Sequence, residues 1–458
     1  MTRRRVSALL ALFVTSLSLH SSAFAAAEGW RAGAAKTVIT PAQPMWMAGF
    51  SSREHPAEGK GTELWAKALV LEDAQGRRGV LVTLDLVGIG RELSQLICAK
   101  LMKQHGLKRD QIVLNCSHTH SGPVVGKNLR PLHYELIADD QRKLVDEYAS
   151  FLEDRVVAVV GDATKQLAPA LVSWGSGLAT FATNRRNNAQ LKAAELRERG
   201  QLRGPVDHDV PVLAVRNPDG MLRSVAFGYA CHATVLNDYH WSGDYPGYAQ
   251  LALEKLHPDA IALFWTGCGG DQNPLPRGTL ELAQQYGQTL ANSVEAVLGA
   301  PMAQCGPMLT TSYAEIDLPL ATPPPRERLE QDAKSENKYT AARARLLLQE
   351  LDAGRALPQS YPYPIAHWKL GDEVKWVFLG GEVVVDYALR LKGELSGRQT
   401  WVAAYSNDVP AYIPSRRVLK EGRYEGGDAM VYYGLPAPWA PEVEDLIVSE
   451  VHRQTAAK

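Results

Sequence analysis

Residues 111–123 read Gln-Ile-Val-Leu-Asn-Cys-Ser-His-Thr-His-Ser-Gly-Pro, an apolar run that has the pattern of a buried strand and ends in two histidines at i, i+2. In an extended segment, side chains two apart share a face, so the spacing predicts that His118 and His120 aim at one point beyond the strand end. Neutral imidazole is the commonest metal ligand, and Gly122-Pro123 closes the motif with a turn. The residues alone leave two readings open: a metal site, or a pair of hydrogen-bonded polar residues in a loop.

Outward from this stretch, the same pattern recurs. An apolar strand precedes His232 (SVAFGYAC), Gly269-Gly270-Asp271 (AIALFWTGC), Glu382 (VKWVFLGG) and Asn407-Asp408 (TWVAAYS). Ligands of α/β sheets bind beyond the carboxyl ends of strands, so five such endings predict one shared crevice. Between them lie segments of helical periodicity: 92–106, 142–160, a helix from about Tyr248, and 280–298. The runs 64–73, 78–89, 210–216 and 223–230 read as strands. The expected fold is α/β, with mixed sheets flanked by helices in one large domain over residues 26–458. The Pro-rich segment 320–328 and the charged helix up to Gly354 read as a surface excursion.

Composition narrows the function. In 458 residues, 45% are hydrophobic and the net charge is -1, which supplies a large core and no electrostatic footprint for nucleic acid. At the N-terminus, Arg3, Arg4 and Arg5 precede the apolar run 6–19, and Ala23-Phe24-Ala25 offers a small-residue cleavage site. Residues 1–25 therefore read as a signal peptide, and the mature chain is expected to be exported, periplasmic or secreted, with no membrane span. Five cysteines is an odd number, so at least one has no partner within the molecule. Cys116, Cys231 and Cys268 adjoin the strand endings and read first as small wall residues.

If His118, His232 and Glu382 converge, two imidazoles and a carboxylate form a known ligand set for catalytic zinc with a position left open. Such an ion activates water and polarises a carbonyl.

The ordered set SHTHSGP, TNRR, CHATVLND with WSGDYPGYA, TGCGGDQNP, LGGEVVVDYALRL and YSNDVPAYI with RYEGG resembles the neutral, non-lysosomal ceramidase family from about Thr37 to Gly427. That family comprises zinc amidases that cleave the N-acyl bond of ceramide. The resemblance implies Zn2+ held by His118, His232, Glu382 and Tyr412, with His120 just behind the ligands or reaching the substrate; in a mechanism built on these roles His120 is the natural proton carrier to the leaving amine. The resemblance further implies that Arg185 and Tyr424 hold the substrate carbonyl and the developing oxyanion. Asp244 and Asp271 match acidic loop positions and are expected to brace backbone. Where family members carry serine in G-D-x-S-P, this chain has Asn273, which excludes a covalent serine step there and leaves an amide able to donate a hydrogen bond. Family members also carry a C-terminal immunoglobulin-like domain, for which the chain, ending in the amphipathic segment 440–454, is expected to have no room. The substrate implied is ceramide or a related N-acyl lipid. A soluble amide, ester or lactone is the alternative, and a noncatalytic exported binding protein the remote one.

Overall fold

The computed structural model describes residues 29–456; the signal-peptide reading falls outside them. Eight strands form the larger sheet: β1 (Trp30–Val38), β2 (Trp65–Glu72), β3 (Arg78–Leu84), β4 (Ile112–Cys116), β5 (Ala168–Leu178), β6 (Asp209–Arg216), β7 (Leu222–Tyr229) and β8 (Ile261–Thr266). They run across the sheet in the order β8-β7-β6-β5-β1-β2-β3-β4, with the short Ala303–Gln304 strand beside β5. The pairs β3/β4 and β7/β8 are parallel and the others antiparallel. Each parallel pair needs a crossover, and the helices α1 (Arg91–His105), α2 (Asp139–Lys165), α3 (Asp244–Leu256) and α4 (Leu280–Leu298) include both: α1 links β3 to β4, and α3 links β7 to β8. Helix α1 ends at Gly106, in the left-handed region at φ 66°. Helix α4 starts at Thr279, whose hydroxyl accepts from the Leu282 N–H.

A second sheet, β9 (Leu309–Pro319), β10 (Ser360–Leu370), β11 (Val374–Leu379) and β12 (Gln399–Ala403), packs on the first. Period-two alternation decides the layering. In β2, Leu69 and Leu71 face the second sheet while Ala66, Ala68 and Val70 face the helices. In β11, Trp376 and Phe378 point inward and Val377 and Leu379 point outward, toward α6 (Asp386–Glu394) and α7 (Val443–Ala456); α5 (Lys338–Asp352) lies outside this layer. The inter-sheet layer is filled by Trp265, Trp368, Trp376 and Trp401, all fully buried. Truncating any one of them to alanine should cost about 3–5 kcal/mol.

The larger sheet bends until its edge strands meet at their carboxyl ends. Asn115 of β4 accepts from the Thr266 N–H of β8 at 3.0 Å, and its amide donates to Ala404 O at 2.7 Å and Ser406 Oγ at 3.0 Å. Thr266 Oγ1 in turn donates to Cys116 O at 2.9 Å. Side chains rather than a ladder join the edges, so there is no closed barrel, and one asparagine draws together the ends of β4, β8 and β12. The segment 326–352 forms two helices with a small core of their own, Leu329, Ala344 and Leu347, as an excursion would. Helix α3 begins at Asp244, four residues before the expected start, because the S-G-D turn feeds directly into it. Among the described residues all five cysteines are free and buried, and no helix is long and apolar enough to cross a membrane.

Candidate metal centre

His118 and His120 meet, for a different reason from strand alternation. Strand β4 stops at Cys116, and His118 has φ 59°, a left-handed conformation that is costly for a residue with a Cβ. The loop is held there by backbone bonds, His118 N–H to Leu86 O at 3.0 Å and His120 N–H to Ala233 O at 3.1 Å. It brings His120 Nε2 to 3.1 Å from His118 Nε2. The His120 ring packs on Phe50 and leaves no space for a side chain at residue 49, where a Cβ would come within 2.4 Å of it; residue 49 is glycine at φ 96°. Arg53, which no motif marks, is buried and donates to both Ala48 O and His120 O at 2.6 Å, tying this wall together.

His232 follows β7, and Glu382 follows β11 in a two-residue strand paired in parallel with Tyr412-Ile413, so that Glu382 and Tyr412 are direct neighbours. His118 Nδ1 lies 2.6 Å from Val87 O and His232 Nδ1 2.6 Å from Gly269 O. A carbonyl can only accept, so both Nδ1 atoms carry the proton and both Nε2 atoms present lone pairs. Those lone pairs face Glu382 Oε2 at 3.0 and 3.1 Å. Burial holds the His232 imidazole down to about 4, and His120 is held well below the ordinary imidazole range, first by burial and then by His118.

Acceptors this close repel one another unless protons or a cation lie among them, and Arg185 Nη1, 3.3 Å from His232 Nε2, meets only one of them, from the side. The donor set therefore fits a metal ion: His118, His120 and His232 each offer a nitrogen within 4.8 Å of the others, and Glu382 adds an oxygen. Tyr412 OH lies 3.2 Å from His232 Nε2. Burial and then Glu382 raise this phenol well above its ordinary value, opposed by Arg185, whose Nη2 donates to the hydroxyl at 3.1 Å. A phenolate there requires a cation beside it. Backbone carbonyls hold the two histidines, and Tyr433 donates to Glu382 Oε1 in a short hydrogen bond; such outer partners orient ligands.

The centre opens into a cavity of about 490 Å³. Arg185 lies on its wall, with Nε on Glu425 at 2.7 Å, Nη1 on Asn273 Oδ1 at 3.2 Å, and the guanidinium over the rings of Tyr412 and Tyr424. Because Arg185 takes the Asn273 carbonyl oxygen, the Asn273 amide N–H groups are what remains for a ligand. Tyr424 is 43% exposed at the mouth. Asp271 and Asp244 do brace loops: Asp271 accepts from Val385 N and Asn184 Nδ2, both at 2.9 Å, and Asp244 from Leu236 N at 2.8 Å and Tyr245 N at 2.6 Å.

The fifth strand ending does not reach the centre. Asn407 accepts from the Leu114 N–H and donates its own to Leu114 O, so it fastens β4, while Asp408 turns to Tyr361 and a separate cavity. Sequence reasoning missed Tyr433, Glu425 and Arg53. Glu425 had a local signal, since it follows Tyr424 in R-Y-E-G-G.

A family profile described as neutral/alkaline non-lysosomal ceramidase, N-terminal, matches residues 30–279, more than half of the chain. The chain belongs to this ceramidase family. It is 28% identical over 284 residues to the neutral ceramidase of Pseudomonas aeruginosa, a match covering 57% of this chain and 41% of that relative. It is 24% identical over 249 residues to the neutral ceramidase of Drosophila pseudoobscura pseudoobscura, covering 53% and 34%. The matched segments thus span well under half the length of these relatives. The crystal structure of the P. aeruginosa neutral ceramidase superposes with a TM-score of 0.72 at 19% identity, over 94% of this chain and 74% of that one. The ceramidase fold therefore extends beyond the profile match, through the segment that supplies Glu382, Tyr412 and Tyr433.

Proposed function

We propose that the chain is an exported, zinc-dependent amidase that hydrolyses the N-acyl bond of ceramide or a related N-acyl lipid. The observation that carries the reading is the convergence of acceptor atoms from His118, His232 and Glu382, with backbone carbonyls fixing both imidazole tautomers. Family membership and the names of the relatives, neutral ceramidases, support the substrate class. The N-terminal sequence, with its three arginines, apolar run and Ala-Phe-Ala, supports export to the periplasm or medium.

A Zn2+ ion held by His118, His232, Glu382 and Tyr412 would supply Lewis acidity toward the amide carbonyl and lower the pKa of water at the site. The chain's own groups do the rest. Arg185 and Tyr424, both on the cavity wall, are the donors for the carbonyl oxygen and for the charge that develops on it. The Asn273 amide offers a further donor without offering a nucleophile. His120, on the cavity wall, is the proton carrier to the departing amine nitrogen, and Glu382 or His120 takes the proton from the attacking water.

A soluble amide, ester or lactone is the second reading, favoured by one observation: Phe50 and Leu275 are nearly alone as large apolar side chains among the arginines and amides that line the cavity.

The deciding experiment purifies the chain, measures its metal by elemental analysis and follows amine release from a short-chain ceramide before and after chelation. Metal-dependent release is expected. A fully zinc-loaded protein that releases no amine would overturn the ceramide assignment and direct the search to soluble substrates.

A further inference from the structure

Four arginines, Arg185, Arg186, Arg277 and Arg423, line the cavity against one carboxylate, Glu425. Two of the four are already neutralised. Glu425 takes Arg185 Nε at 2.7 Å on one oxygen and Arg186 Nη1 at 2.6 Å on the other, and Glu421 adds a second partner to Arg186 at 3.0 Å. The remaining two have no carboxylate within 4.0 Å among the described residues. Arg277 is half-buried, and its guanidinium holds only neutral oxygens: Gln190 Oε1 at 3.0 and 3.2 Å and Thr234 O at 3.4 Å. Those contacts fix its direction without cancelling its charge. Asp244, the acidic side chain whose charge acts on Arg277, has both oxygens engaged by backbone N–H groups. Arg423 lies exposed at the mouth beside Tyr424, with no side-chain partner among the described residues.

Resting on the amidase reading above, we infer that the amide hydrolysed here carries an anionic group, received by Arg277 with Arg423. A partly desolvated guanidinium facing a cavity gains most from a carboxylate, whose two oxygens match its planar fork. Ceramide is uncharged and offers Arg277 nothing beyond a hydroxyl. An N-acyl amino acid offers the amide to the metal centre and the carboxylate to the mouth. The cavity volume of about 490 Å³ suits a molecule of that size. The single Phe50 and Leu275 provide contact for a short acyl chain rather than for two long ones. A sulfonate would satisfy the same fork.

The test compares N-hexanoyl-glycine, N-hexanoyl-taurine and the neutral N-hexanoyl-ethanolamine on the metal-loaded protein. Turnover is followed as amine release, and binding by calorimetry on the corresponding ketone isosteres, in which CH2 replaces the amide NH so that nothing is cleaved. The anionic isosteres should bind about tenfold or more tightly than the neutral one. Arg277→Gln should erase most of that ratio, Arg277→Lys should restore part of it, and Arg423→Gln should reduce it less. Because Arg423 is exposed and unpartnered, its variant tests the charge without risk to folding. A tighter glycine than taurine isostere identifies the carboxylate; equal values identify anions in general, and both support the inference. Equal affinities for charged and neutral isosteres, or a ratio that survives both glutamine substitutions, overturn it. Amine release reports separately on the reaction: if the neutral amide is hydrolysed without any anion preference, the amidase stands and the anion site falls. If anions are preferred and no amide is cleaved, the amidase falls and the anion site stands.

Discussion

The inner end of the cavity and its mouth are built from opposite materials. Inside, His118, His232 and Glu382 present lone pairs to one another, each held from behind by a backbone carbonyl or by Tyr433, and all are essentially inaccessible. At the mouth, Arg185, Arg277, Arg423 and Tyr424 present donors and positive charge, and Tyr424 is substantially exposed. One end gathers acceptors and suits a cation; the other gathers donors and suits an anion. Substitutions should separate accordingly: inner ones should change metal content, and outer ones should change how substrate is held while the metal stays.

The largest effect is expected from the inner wall. His118→Ala and His232→Ala each remove a nitrogen that a carbonyl has already oriented, and each should lower both bound metal and amine release by about 10³-fold or more, the scale of several kcal/mol of Lewis-acid stabilisation. Elemental analysis beside the rate assay checks this. Retained metal in either variant would break the contrast at its root. On the outer wall, Arg185→Lys keeps a charge and loses the fork that spans Glu425, Asn273 and Tyr412. Metal content should fall far less than in the histidine variants while kcat falls by about 10²–10³, the loss seen when one oxyanion donor is removed. A fall confined to KM would move Arg185 from charge stabilisation to substrate binding.

Tyr433 sharpens the boundary between the two ends. Its hydroxyl donates to Glu382 Oε1 from 51 positions away in sequence. Tyr433→Phe should weaken metal binding by about 10–100-fold, as loss of an outer partner does. Titration against a chelator measures that directly. An unchanged affinity would mean that the paired Glu382/Tyr412 backbone alone fixes the carboxylate.

The contrast also explains what could be read in advance. His118, His232 and Glu382 stood out because each polar residue interrupts an apolar run at a strand's carboxyl end, and alternation along β2, β6 and β11 is enough to find the layers. Tyr412, Arg185 and Tyr424 carried no such mark and entered through the ordered motifs of the family resemblance. Asn115, which clasps the ends of three strands, lies inside the quoted stretch and says nothing there, because its partners Thr266, Ala404 and Ser406 are distant in the chain. Arg277, between proline and glycine, reads as an ordinary surface loop cation. Its meaning depends on the absence of a carboxylate nearby, which only tertiary structure can show. The H-T-H pair was expected to converge by strand alternation; the left-handed turn at His118 does the work instead.

The smallest effect on activity is expected at the strand ending that belongs to neither end of the cavity. Asp408 is buried, accepts from Tyr361 OH at 2.6 Å on one oxygen and has no hydrogen-bond partner on the other. Burial pushes its carboxyl up to about 7, with the Tyr361 bond and Arg91 pulling the other way. A carboxyl raised on folding binds its proton more tightly in the native state, so stability is full below the unfolded value near 4 and falls as pH rises toward 7. Asp408→Asn keeps the shape and removes that titration. The two proteins should therefore unfold with similar free energies at pH 4, and the asparagine variant should be the more stable at pH 8, by on the order of 2–4 kcal/mol. Denaturant unfolding at the two pH values measures the difference, with metal content expected to match the parent. Parallel stability curves would show that the carboxylate finds compensation as an anion, and a loss of metal would join Asp408 to the inner wall from which the geometry separates it.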